Sequence, residues 1–292
     1  MILNVSGRCD IVAFYSKWFM NRYKEGFVDT RNPFYPKLVS RIYFKDVELI
    51  VFCTKNPEPI ISYLKDISQK ILFHVTLTPY KEEIEPRVLH KEKIIDNIKK
   101  TSKIIGKDNI YVRYDPIFLS DDYDLSYHEK AFSKMCSLLK GYVKHIIISF
   151  LDEYKNTKNN RYVLKYKYFT ESDYEFIGKT FSRIAKENDM DIRTCYEKRN
   201  LVEYGFLDDV CVSRELAYKM TGKIYKKWTA RNCGCCSMVD IGEYNSCNHL
   251  CKYCYANFDE SLITKNMKNH DPDSSLLIGH LKDDDEIKVR TM

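Results

Sequence analysis

Near the C-terminal end the chain reads CNHLCKYCYAN, which places Cys247, Cys251 and Cys254 at C-x3-C-x2-C spacing. Thiolates are soft metal ligands, and three of them on one tight loop can hold three irons of a cubane. A [4Fe-4S] cluster needs four ligands, so three local cysteines leave one iron open. An open iron is what a reactive cluster requires, because a small molecule can chelate only a vacant site. The other chemistry open to these residues is structural zinc, which favours closed four-ligand sites, often from two C-x2-C pairs. Here the pairs would be irregular, with Cys233, Cys235 and Cys236 of RNCGCCSM and His249 as further donors. Eleven cysteines in a chain expected in a reducing compartment are not expected to pair as disulfides. Clustering of six of them between 233 and 254 points to a metal, whereas Cys9, Cys53, Cys136, Cys195 and Cys211 are scattered. Cys136 shares a helical face with Phe132, Met135 and Leu139 and reads as core.

A second group of chemically capable residues follows apolar runs. These are Ser6-Gly7-Arg8-Cys9-Asp10, Thr54-Lys55-Asn56, His74 with Thr76 and Thr78, Arg113 with Asp115, and Cys195 with Glu197. Arg113 has the fork geometry to grip a carboxylate or phosphate, with Asp115 holding it or accepting a ribose hydroxyl. The alternative is an internal Arg113–Asp115 ion pair with no ligand. Arg8 and Asp10 carry the same two readings. Lys55 and Asn56, ahead of Pro57, would bind an anion at a helix start or simply cap it. For Cys233 and Cys235 the readings are a second metal, tuning of the first cluster, or thiol hydrogen donation to a substrate radical; buried free cysteine is the ordinary alternative.

Apolar and β-branched runs at 2–5, 48–53, 71–77, 110–114, 145–150, 190–195, 209–212 and 238–241 predict strands. Most are continuous rather than alternating, as in buried parallel sheets. Helical patterns fall between them, at 11–24, 57–67, 90–105, 126–140, 171–188 and 213–221. Strand-helix alternation means a parallel α/β architecture, either a closed barrel or an open doubly wound sheet. Polar residues after so many strands favour a TIM-like (β/α) barrel, whose chemistry sits on loops at strand C-terminal ends. The expected organisation is a barrel body over 1–232, a cysteine-rich segment completing it over 233–260, and a polar tail over 261–292. Within the tail, DDDE at 283–286 reads as a solvated acidic run.

Composition excludes little but sets the class. Hydrophobic residues make up 44% and charged residues 30%, ordinary globular usage. The net charge of +6 arises from 47 basic and 41 acidic residues, so nucleic acid is permitted, not indicated. No stretch approaches about 18 apolar residues, and MILNVSGRCD lacks a signal-peptide pattern, so a cytoplasmic location without membrane attachment is expected. The loop 152–169 interleaves Lys155, Lys158, Arg161, Lys165 and Lys167 with Tyr154, Tyr162, Tyr166 and Tyr168, a pattern that can grip phosphates and stack on bases or be a solvated insertion.

The cysteine loop resembles that of the radical S-adenosylmethionine superfamily, C-x3-C-x-aromatic-C, with Tyr253 in the aromatic place. The resemblance implies that the fourth iron chelates S-adenosylmethionine and that reductive cleavage yields a 5'-deoxyadenosyl radical. It also implies an electron donor such as flavodoxin or ferredoxin. Ser6, Arg8, Asp10, Thr54, Lys55, Asn56 and Tyr253 become candidates for holding the cofactor, and Cys233, Cys235, Arg113 and Asp115 for acting on a small-molecule or nucleic-acid substrate. That superfamily usually carries its cluster loop after the first barrel strand, whereas here it comes almost last. A circular permutation accounts for this, with strand 238–241 beside strand 2–5. From NVSGRCDI through FCTKNP, TLTPY, RYDPI and CGC to DIGEYNSCNHLCKYCYAN the chain is also similar to an uncharacterised bacterial family, a domain of unknown function noted for C-terminal cysteines. FCTKNP and RYDPI look like segments of the spore photoproduct lyase group. The competing reading is a metal-stapled nucleic-acid-binding protein using the basic loop with Lys223, Lys226, Lys227, Trp228 and Arg231. An electron carrier is disfavoured, because it needs neither an open iron nor a barrel.

Overall fold

A computed structural model describes residues 1–229 and 233–291; Arg231 lies outside the described residues. The elements run β1 (Ile2–Val5), α1 (Ile11–Glu25), β2 (Phe27–Arg31), β3 (Leu38–Tyr43), β4 (Leu49–Thr54), β5 (Lys70–Thr76), α2 (Lys91–Ile105), β6 (Ile110–Ile117) and α3 (Leu125–Leu139). They continue with β7 (His145–Phe150), α4 (Lys155–Asn159), α5 (Arg161–Leu164), α6 (Glu171–Glu187), β8 (Asp191–Thr194), α7 (Arg214–Thr221), β9 (Val239–Asp240), α8 (Glu260–Lys268) and β10 (Glu286–Val289).

Seven strands form one sheet in the order β8-β7-β6-β5-β4-β1-β9, with every neighbouring pair parallel. Alternation along each strand divides the work. Val5, Phe52, Phe73, Val112 and Ile148 pack with α1, α2, α3 and α6 in the main core, where the Phe132 and Phe181 rings stack at 3.9 Å. The intervening residues, among them Asn4, Cys53, His74, Arg113 and Ser149, line a cavity on the opposite face. The periodicity of two thus turns one face into core and the other into a site.

The sheet is open, and the expected closed barrel is not formed: β8 and β9 are its two edges. Closure needs a full set of tilted, staggered strands, and two predicted runs fall short. Run 209–212 is not a strand; it follows the single bridge between Arg193 and Leu207 and packs Cys211 and Val212 into a separate apolar cluster. Run 238–241 pairs only through Leu3 with Val239 and Asn4 with Asp240. That pairing does set the late strand beside the first, as expected.

Three further differences follow, two of them made by contacts far apart in the chain. Segment 57–67 is a 3-10 helix over Glu58–Asp66 rather than an α-helix. A second sheet, β10-β3-β2, was not anticipated, and it draws the C-terminal tail back onto residues 27–43. The acidic run is therefore not simply solvated, since Asp285 pairs with Arg31 and has a side chain only 2% exposed. Among the described residues no helix is long and apolar enough to cross a membrane.

Candidate functional site

The cavity has a volume of about 690 Å3 and opens where β1 and β4 to β8 end. A pocket of about 300–1,000 Å3 suits a small organic ligand or cofactor. Cys247, Cys251 and Cys254 all line it, together with Ser6, Arg8, Asp10, Thr54, Lys55, Arg113, Asp115, Cys233, Cys235 and Tyr253. Asn56 is the one candidate that does not; its side chain accepts from Glu58 N at 3.1 Å and so caps the 3-10 turn. Thr54 Oγ1 accepts from Asn56 N at 2.8 Å, tightening the same corner.

The first wall is the turn after β1, and it is fastened to β9 by one carboxylate. Asp240 accepts from Asn4 Nδ2 and Gly242 N at 2.8 Å and from Ser6 Oγ and Gly7 N at 2.7 Å, with Arg8 Nε 3.6 Å away. Arg8 also reaches the carbonyl of Gly242 at 3.2 Å. What Ser6 and Arg8 do in the fold is lock this turn to the strand that carries the cysteine loop. Glycine is required at 242, since a Cβ there would sit 1.9 Å from Ser6 Oγ.

Asp10 links three segments. Its Oδ1 caps α1 by accepting from Ala13 N, and its Oδ2 accepts from Lys55 N at 2.7 Å and meets His249 Nε2 at 2.9 Å. The Nδ1 of His249 faces the carbonyl of Arg87 at 3.3 Å, so both ring nitrogens are occupied. Lys55 Nζ donates to Glu85 at 2.8 Å and stands 5.5 Å from the Tyr253 ring centroid. Glu85 is buried and also takes bonds from Lys91, Thr78 and the Tyr253 hydroxyl. Burial alone would raise its pKa, but Lys55 and Lys91 overcome that and hold it down at about 2. Neither Glu85 nor Asp240 carries a sequence signal beyond being acidic, and His249 showed only as a spare metal donor.

The cysteine loop is itself pinned by short-range bonds. Asn257 Oδ1 accepts from Ser246 N and Cys247 N, both at 2.9 Å, while its amide donates to the Arg8 carbonyl. Leu250 takes a left-handed turn with φ +57° between the first two cysteines. No helix starts directly after Cys254; α8 begins only at Glu260. Burial, with Asp10 and the neighbouring thiols of Cys254 and Cys251 adding to it, pushes the Cys247 thiol far up. Burial likewise raises Cys251, to about 12, against the pull of Lys55. Among the described residues no three His, Cys, Asp or Glu side chains converge closely enough to enclose a single metal ion.

The far wall carries the remaining charges. Arg113 Nε donates to Asp115 at 2.8 Å, Asp115 also accepts from Ser149, and Arg113 Nη1 reaches Cys211 Sγ at 3.2 Å. Glu197 accepts from Phe150 N at 2.8 Å and is pushed up to about 8 by burial, with Asp152 and Asp115 adding repulsion. Segment 152–169, expected as a loop, folds into α4 and α5 and is docked on the cysteine loop. Asn156 and Asn160 donate to the carbonyls of Cys254 and Lys252, each at 2.7 Å, and Leu164 and Tyr166 are buried in the same apolar cluster as Cys251 and Tyr253. Its Arg161 is spent locally, on Glu153 and over the Tyr166 and Tyr168 rings.

A family model described as "Domain of unknown function (DUF1848)" matches residues 2–256. The chain belongs to this family. The matched region runs from β1 through the third cysteine of the loop, so every cavity-lining residue except Asn257 falls inside it. Segment α8 and strand β10 follow the region that defines the family. No curated protein and no solved structure matches the chain.

Proposed function

We propose that the chain is a radical S-adenosylmethionine-type enzyme whose Cys247, Cys251 and Cys254 hold a [4Fe-4S] cluster at the cavity mouth. The observation that carries the reading is the donor set: three thiols on one pinned loop, facing one cavity, with His249 committed to Asp10 and Arg87. When bound, such a cluster with S-adenosylmethionine on its open iron supplies a reductively generated 5'-deoxyadenosyl radical. The protein's part is holding and shielding. Asp240 fixes the Ser6–Arg8 turn as a rigid wall, and Lys55, held by its ion pair with Glu85, keeps an ammonium near Cys251. The docked loop 152–169 limits water at the cysteines, and the Arg113–Asp115 pair offers a polar surface across the cavity for a substrate. The parallel pairing of β9 with β1 supports a permuted arrangement in which the cluster loop follows an edge strand.

The test is anaerobic reconstitution with iron and sulfide, then dithionite or a flavodoxin or ferredoxin donor with S-adenosylmethionine. About four irons per chain, a cubane electron-spin signal altered by the cofactor, and 5'-deoxyadenosine are the expected results. Single Cys→Ala changes at 247, 251 or 254 should abolish all three while the circular dichroism spectrum is kept. Tightly bound zinc with salt-dependent nucleic-acid binding would replace this reading by the metal-stapled alternative.

A further inference from the structure

A second set of thiols lies in the same cavity, away from the cysteine loop. Cys195 extends the end of β8, where its N–H donates to the Ile148 carbonyl, and Cys211 lies on the returning segment tied to β8 by the Arg193–Leu207 bridge. Their sulfurs are 2.8 Å apart, so the two side chains meet directly. Arg113 Nη1 stands 3.2 Å from Cys211 Sγ. The bond with Cys195 and this guanidinium pull the Cys211 thiol down, but the bond with Cys235 and burial outweigh them and leave it at about 11. Cys195 is raised further still, so Cys211 is the more readily ionised of the two. Both residues line the cavity, Cys195 half-buried and Cys211 buried. Arg193, itself paired with Asp191 and Asp209, braces the two segments in this register.

We propose that Cys195 and Cys211 form a redox-active dithiol that exchanges with a low-molecular-weight disulfide bound in the cavity. Cys211 gives up its proton and attacks one sulfur of R–S–S–R, forming a mixed disulfide and releasing R–S⁻. Cys195 gives up its proton and attacks the Cys211 sulfur, closing the internal disulfide and expelling the second R–S⁻. The protein loses two electrons and two protons, and the disulfide gains them as two R–SH. Reversible pairs of this kind are the disulfides that occur in reducing compartments. The proposal does not depend on the cluster reading, because neither cysteine belongs to the loop at 247–254.

The experiment uses the full chain, prepared without oxygen and treated with oxidised glutathione, followed by alkylation and peptide mapping. The expected result is one Cys195–Cys211 cross-link and two glutathiones released per chain, reversed by a dithiol reductant. Cys195→Ser should trap glutathione on Cys211, and Arg113→Lys should slow the first step at least several-fold at fixed pH. Cross-linking of Cys211 to Cys235, or of Cys233 to Cys235, would overturn the assignment. So would alkylation of Cys195 and Cys211 undiminished by the oxidant, or their protection by a bound metal that a chelator removes. Mapping of the unaltered protein reads all of these even if a variant fails to fold.

Discussion

Replacing Asp240 by Asn tests whether one carboxylate holds the first wall of the cavity. Asp240 Oδ1 serves Ser6 Oγ and Gly242 N, and Oδ2 serves Asn4 Nδ2 and Gly7 N. An amide keeps one acceptor oxygen and turns N–H groups toward the other pair. Ser6 can rotate its hydroxyl and Asn4 can flip its amide, but a backbone N–H cannot adapt. Either orientation therefore strands at least one backbone donor, the part-buried Gly7 or the buried Gly242, costing about 1–3 kcal/mol. The surviving bonds also lose charge assistance, worth about 1 kcal/mol more. The expected destabilisation is about 3 kcal/mol, or a fall of roughly 5 °C in midpoint for a chain of this size. Urea unfolding with an unchanged slope measures the first figure, and native hydrogen exchange should show the Gly7 and Gly242 amides opening fastest. Asp121→Asn, at an exposed pair with Lys167, is the control and should leave the midpoint where it was. If Asp240→Asn matched that control, the account of this wall would be wrong.

Other outcomes follow from the same geometry. Glu85→Gln leaves Lys55 and Lys91 without their shared counter-charge in a buried setting, and should cost about 3 kcal/mol in urea unfolding; a change no larger than that of a surface variant would argue against the ion cluster. Glu197 is pushed by burial from 4.5 to about 8, so the folded chain holds a proton that the unfolded chain releases. Its contribution is complete below pH 4.5 and is lost as pH rises toward 8. Glu197→Gln should therefore flatten the fall in stability across that window, and parallel pH profiles for the two proteins would count against the assignment. Gly242→Ala should force Ser6 aside and destabilise by about 1–3 kcal/mol in urea unfolding; a neutral result would refute the tight fit of this turn.

The stretches legible in the sequence were those whose signal is local. The capping box of Thr170 and Asp173 marks the start of α6, and continuous apolar runs mark β4, β5 and β7. The short strands β2, β3 and β10 were missed because their residues, such as FVDTR and EIKV, alternate weakly and are stabilised by each other across the chain. The closed barrel was inferred from how many runs carry polar residues at their ends, but a run such as 209–212 becomes a strand only if a neighbour offers it a partner, and here it does not.

By itself the sequence determined the spacing of Cys247, Cys251 and Cys254, the parallel α/β pattern and the polar residues at strand ends, since these depend on neighbours a few positions apart. Only tertiary structure decided that Asp240 grips the turn at residues 6–8, that His249 is spent on Asp10, that Glu85 gathers Lys55, Lys91 and Tyr253, and that Cys195 meets Cys211. Each of these joins segments whose meeting is fixed by strand order and by the burial of charge with its partner, and neither is written in the identity of any one residue.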